Sequence, residues 1–196
     1  MKTYEASDWQ QYVMNWYEPH RQIEPIEREI AVIDNALETL VTARVLPHAR
    51  YDHQKMMAHR EAVRERFDIP WTAISPRMER LLYAINAIAQ PSVMVAVGVF
   101  CGNTFISNAG AAIGPGTSYA AERVIGIEIR PQEAARARNN VSTIHENGSN
   151  GATAEILAED GIAWLRETDA EIDLLYLDAD GADGTKSIYL ELLQAG

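Results

Sequence analysis

Two glycines and four acidic residues stand where this sequence could do chemistry. Gly98 and Gly102 lie in "VAVGVFCGNTF", at the end of a run of small and β-branched residues. A glycine there lets a ligand lie against the backbone, and a helix opening at Asn103 and Thr104 would offer free N–H groups. The G-x-x-x-G spacing is not the G-x-G-x-x-G of a dinucleotide site, because Phe100 stands where the second glycine belongs. A tight turn and a close helix–strand contact would explain the same glycines without any ligand. Glu128, in "GIEIRP", follows the next apolar run, 26 residues after Gly102. A carboxylate there can accept from both ribose hydroxyls of an adenosine, or simply end a strand in solvent. Asp160 and Gly161, in "AEDGIAW", follow the third run. Asp160 could accept from an adenine amino group, cap the helix that begins at Gly161, or do both. Asp178 and Asp180, in "LYLDADGADG", follow the fourth. Two close carboxylates on a glycine-containing loop suit a hard cation such as Mg²⁺. They could instead supply a general base, or serve only as turn residues.

These residues matter only if one scaffold brings them together. From Pro91 onward four short apolar segments, "SVMVAVG", "RVIGIE", "TAEIL" and "IDLLYLD", alternate with helical ones, "NTFISNAGAAIG", "PQEAARARNNVSTIHENG" and "GIAWLRET". That rhythm predicts parallel strands joined by right-handed crossovers, with helices on both faces. In such a doubly wound sheet ligands bind beyond the carboxyl ends of the strands, where all six residues fall. "ENGSNG" at 146–151 reads as a polar loop.

Residues 1–90 have a helical rhythm instead. Ile26, Ile30, Ile33, Leu37, Leu40 and Val41 form one amphipathic stripe after Pro25. A charged helix follows over about Asp52–Phe67, and a third over about Ser75–Ala89, with Ser75 as cap and Pro76 in its first turn. His53 and His59, six apart, do not share a clean helix face and read as surface or loop residues. Trp9, Tyr12, Trp16 and Tyr17 read as the packing face of a short helix, or as the lining of a substrate pocket.

Composition bounds the possibilities. A 196-residue chain with 47% hydrophobic residues can build a core, and a net charge of −11 argues against an electrostatic nucleic-acid binder. One cysteine, Cys101, excludes an intrachain disulfide; it reads as a small loop residue. The N-terminus has no apolar signal region, and no apolar run approaches the ~20 residues that span a bilayer. A cytoplasmic location is expected.

Taken in order, the glycine turn, strand-two acid, strand-three Asp and Asp-rich end of strand four resemble the class I S-adenosylmethionine-dependent methyltransferases. The likeness is strongest to the metal-dependent O-methyltransferases of the catechol and caffeoyl-CoA type. "ISPRMERLLYAINAI" resembles their helix before the first strand, "VAVGVFCGNTF" their E-x-G-x-x-x-G-x-S/T loop, "RVIGIEIRPQEAARARNNV" their ribose-binding strand and next helix, and "IDLLYLDADG" their "DADK" segment. The resemblance covers residues 74–196. It implies a Rossmann-like doubly wound, mainly parallel sheet, with residues 1–73 as a helical N-terminal extension forming an acceptor lid or dimer contacts. It implies that Gly98 and Gly102 line the methionine and ribose part of the cofactor, and that Thr104 takes the family's small hydroxyl position. Glu128 would bind the ribose hydroxyls, Asp160 with Gly161 would lie by the adenine, and Asp178 would be catalytic as first metal ligand, with Asp180 beside it. Ala96 stands where the family has Glu, and Gly181 where it has the Lys that helps deprotonate the acceptor; Lys186 is displaced from that position. The family's Asp-Asn metal ligands follow a fifth strand, and its sheet has seven strands. Only four are counted here, so the chain reads as truncated at its C-terminus.

The expected function is S-adenosylmethionine-dependent methylation of a small molecule, at a hydroxyl group, with Mg²⁺ or another divalent cation as a second cofactor. Neither nucleic acid nor membrane is expected as a partner, and a homodimer through the N-terminal helices is. A non-catalytic adenosine-ligand binder or pseudo-enzyme on the same fold is the alternative. A nicotinamide oxidoreductase is disfavoured by the glycine spacing.

Overall fold

A computed structural model of the chain describes residues 12–145 and 152–196. Trp9 and the expected polar loop at 146–151 lie outside the described residues. Three helices come first: α1 (Ile26–Thr42), α2 (His53–Arg66) and α3 (Pro76–Ala89). Asp52 caps α2, accepting from the N–H groups of Gln54 and Lys55, and Ser75 caps α3, accepting from Met78. Side chains of this type at the N-cap satisfy donors the helix itself cannot. The alternating part follows: β1 (Val93–Val97), α4 (Asn103–Ala109), β2 (Arg123–Ile127), α5 (Pro131–His145), β3 (Thr153–Leu157), α6 (Gly161–Glu167), β4 (Leu174–Leu177) and α7 (Tyr189–Ala195).

The four strands are all parallel, in the order β3-β2-β1-β4. The chain winds outward from β1 to β3 and then returns to pair β4 on the other side of β1. The strand order therefore reverses between β1 and β4, which opens a crevice at the carboxyl ends of both. Alternate side chains of β1 serve opposite faces, as the pleat requires. Met94 and Ala96 pack with Met56, Tyr83, Phe105 and Ile144 of α2, α3, α4 and α5. Val95 and Val97 pack with Leu165 of α6 and Leu192 of α7. Covered on both faces, the strand is fully apolar rather than alternating.

The N-terminal helices are tied to this sheet by two different forces. Ile33 and Leu37 of the α1 stripe bury against Ala84 and Ile88 of α3. Beside them Glu29, 1% exposed, accepts from Arg60 of α2 at 2.8 and 3.1 Å and from Arg80 of α3, itself fully buried. Glu24 pairs likewise with Arg77. Three points differ from the sequence-based expectation. His59 is buried, not a surface residue, because its ring stacks on Tyr83 at 5.6 Å. Residues 12–25 form turns rather than a short helix. The C-terminal "YLELLQA" forms α7, which the apolar runs did not announce.

Candidate functional site

The crevice between β1 and β4 is a cavity of about 550 Å³, and most of the sequence-predicted site residues line it. Gly98 ends β1 with φ +86°, a conformation open to glycine and strained for other residues. A Cβ there would sit 2.4 Å from the Ala179 backbone nitrogen, so the β4 loop crosses where a side chain would be. Gly161 opens α6 and lines the cavity too; its Cβ would meet Val97 Cγ1 at 2.4 Å. Gly102 does not line the cavity. It turns the chain into α4 at φ +94° and lies against Ala137 of α5, where a Cβ would make a tight 3.3 Å contact. The two glycines of the motif thus have separate places: one faces the cavity, the other faces the helix layer.

Glu128 is the buried acid of the site, 4% exposed at the end of β2. Its Oε2 accepts from the Phe100 N–H at 2.8 Å, which pins the glycine turn to β2. Its Oε1 accepts from the Arg130 N–H at 3.1 Å and from Arg130 Nε at 2.9 Å. A carboxylate offers about four lone-pair directions. Three are engaged, and the Arg130 side chain, 60% exposed, can leave. Asp160 Oδ1 accepts from the N–H groups of Ile162 and Ala163, so it caps α6 while also lining the cavity. Thr104 Oγ1 donates to Asp178 Oδ2 at 3.2 Å, joining the α4 start to the β4 end.

Asp178 and Asp180 do not form the expected cation site. Lys186 Nζ donates to Asp178 Oδ1 at 2.8 Å and to Asp180 Oδ1 at 3.0 Å, and the pair is thereby engaged by an ammonium. Partial burial lowers the Lys186 pKa, but its bonds to the two carboxylates outweigh this and hold it above the ordinary lysine value. Among the described residues no cluster of three or more His, Cys, Asp or Glu could hold a metal. The residues present do not fit a divalent cation between these two carboxylates, and no chemistry is derived through one.

Trp16 takes the second of its two sequence readings, a cavity-lining residue, whereas Trp71 was missed from sequence. Trp16 and Trp71 stack at 6.3 Å at the cavity, and Trp71 meets Phe100 at 4.8 Å. Trp16 reaches there because the Thr72 N–H donates to its carbonyl oxygen, a contact across 56 positions that no local pattern signals. Lys186 had only its nearness to the Asp-rich loop as a signal. Cys101 is buried, and burial pushes its thiol up to about 11, which makes it a poor nucleophile.

No model of a known family matches the sequence, and no curated protein matches it. Solved structures do. The SAH-bound methyltransferase PaMTH1 from Podospora anserina superimposes with a TM-score of 0.53 at 16% identity, covering 89% of this chain and 66% of that one. The chain has a methyltransferase fold. Cofactor-bound Rv0187 from MTB superimposes with a TM-score of 0.50 at 20% identity, covering 74% of this chain and 59% of its own. The chain therefore spans less than two thirds of the length of either. The methyltransferase fold accounts for the strand order, the crevice and the helices on both faces.

Proposed function

We propose that this cavity binds S-adenosylmethionine and that the protein transfers its methyl group to a hydroxyl oxygen of a small-molecule acceptor. The observation that carries the reading is Glu128: a buried carboxylate, at the carboxyl end of the second parallel strand, with hydrogen-bonding capacity left toward the cavity. Buried carboxylates need partners, and a ribose diol supplies two donors. Gly98 lines the cavity through its backbone, the place of its Cβ being taken by the Ala179 backbone, so a ligand would meet main chain there. The unshared oxygen of Asp160 and the start of α6 at Gly161 would border the adenine. Arg130 would swing away from Glu128 as the ribose takes its place.

When bound, the sulfonium supplies an electrophilic methyl for an in-line displacement. The protein's own part is positioning, which can account for much of such a rate. Asp178 lines the cavity and its Oδ2 accepts from Thr104; in this reading it would take the acceptor's hydroxyl proton. Trp16, Trp71 and Phe100 would cover the acceptor and exclude water. In this reading residues 74–196 hold the cofactor and residues 1–73 help close the acceptor side. A homodimer through the N-terminal helices belongs to the same proposal, supported by the exposed Val45 and Met57. A cytoplasmic location belongs to the same proposal. No helix among the described residues is long and apolar enough to cross a membrane.

Calorimetric titration with S-adenosylhomocysteine tests the reading. Micromolar binding is expected, weakened at least about tenfold in Glu128→Gln, since a hydrogen bond to a charged group is worth ~1.5–3 kcal/mol. Equal affinity in both proteins, or saturable NAD(H) binding instead, would reject it. Binding without transfer to any hydroxylated acceptor would favour a non-catalytic adenosine binder.

A further inference from the structure

The loop after β4 brings its own cation. Lys186 opens a short 3₁₀ turn, Lys186–Ile188, and folds back so that Nζ donates to the Asp178 carbonyl oxygen at 2.8 Å, Asp178 Oδ1 at 2.8 Å and Asp180 Oδ1 at 3.0 Å. An ammonium has three N–H donors, so this one is fully spent on two residues. The loop is built to present it. The Gly181 N–H donates to Thr185 O at 2.7 Å, and the Gly184 N–H to Gly181 O at 2.9 Å. Gly184 turns the chain at φ +71°. Asp183 Oδ1 then accepts from Thr185 N, Thr185 Oγ1 and Ser187 Oγ, which fixes the residues on either side of Lys186. A divalent ion shared by Asp178 and Asp180 would need the oxygen positions the ammonium holds, and would meet a like charge there.

We propose that Lys186 is a built-in counterion that takes the place of a divalent metal, fixing Asp178 toward the acceptor so that methyl transfer needs no metal. The proposal rests on the methyltransferase reading of the cavity. Lys186 is a positioning residue, because none of its N–H groups is left for substrate. The two carboxylates and one ammonium leave a net negative charge beside Thr104, where a hydroxyl proton would be taken.

The test is a Mn²⁺ titration followed by electron paramagnetic resonance, on the wild-type protein, Asp178→Asn and Lys186→Met. S-adenosylhomocysteine affinity is measured in parallel, with and without EDTA. Wild type is expected to show no Mn²⁺ site that Asp178→Asn removes, and the same ligand affinity with EDTA present. Lys186→Met frees both carboxylates. It should bind Mn²⁺ at least about tenfold more tightly, given the size of a unit charge at this separation. Mn²⁺ should then raise the melting temperature of Lys186→Met and leave that of wild type unchanged. A stoichiometric wild-type Mn²⁺ site lost in Asp178→Asn overturns the proposal, and so does a folded Lys186→Met no better at binding Mn²⁺. If Lys186→Met does not fold, the wild-type comparison alone decides. Failure of every protein to bind S-adenosylhomocysteine would reject the methyltransferase reading, while the Mn²⁺ result still reports on Lys186.

Discussion

Gly98 serves the chain before it serves any ligand. The Ala179 nitrogen and Cα lie 2.4 and 2.6 Å from where its Cβ would be, and φ is +86°. Both objections are to backbone, which cannot rotate aside as a side chain can. Gly98→Ala should therefore cost about 2–4 kcal/mol, combining left-handed strain with displacement of the β4 loop. Urea denaturation measures the loss, and a cost below about 1 kcal/mol would show that the loop yields. The same substitution should weaken S-adenosylhomocysteine binding, because Asp178 sits on the displaced segment. Gly102 is the milder case: a Cβ would meet Ala137 at a tight 3.3 Å, which a shift of a few tenths of an ångström relieves, and it also carries the turn at φ +94°. The spacing of the two glycines was legible in the sequence. Which one faced the cavity was not, since that depends on where α5 and the β4 loop come to lie.

Helix α2 shows how an element can look like a surface helix and be half core. Its sequence, "HQKMMAHREAVRER", is strongly polar, yet Met56, His59, Ala62 and Val63 are buried. They meet α5 and the turn near Gly116, and His59 lies between Gly110 and Tyr83; a Cβ on Gly110 would overlap its ring. Burial, with Arg60 alongside, lowers the His59 pKa from 6.5 to about 4. The folded state thus binds a proton less readily than the unfolded chain. The stability His59 protects is fully present above pH 6.5 and is lost as the pH falls toward 4, amounting to about 3 kcal/mol. His59→Phe keeps a ring at the stack and removes the titration. Between pH 7 and 4.5 its urea-derived stability should fall less than that of wild type, by about 2 kcal/mol. Parallel pH dependence in the two proteins would show that some local opening lets His59 take up its proton in the folded state at an ordinary pKa.

Across the whole molecule, the four-stranded sheet has two edges, β3 and β4, and at β4 no further strand pairs among the described residues. The side chains of β4 are only partly buried, and α7 beside it exposes Leu190 and Leu193 at 66% and 62%. An unpaired parallel edge next to exposed leucines is a template for association. The 196-residue chain should therefore self-associate with rising concentration in sedimentation velocity, and a Leu190→Lys, Leu193→Lys double variant should do so less. A monodisperse wild-type monomer at high concentration would show that the −11 net charge outweighs the apolar surface.

Local physics in the sequence determined the elements and their ends. Apolar runs made strands, Asp52, Ser75 and Asp160 capped helices, and the acids after each strand fell at one edge of the sheet because parallel strands all point the same way. Those signals act over a few residues, so they survive being read in one dimension. Only the tertiary structure decided the rest: Trp16 beside Trp71, Arg60 and Arg80 on Glu29, Arg130 on Glu128, and above all Lys186 between Asp178 and Asp180. Each of these depends on where two separately formed segments come to rest, and a charge or ring shows no partner until packing and desolvation choose one.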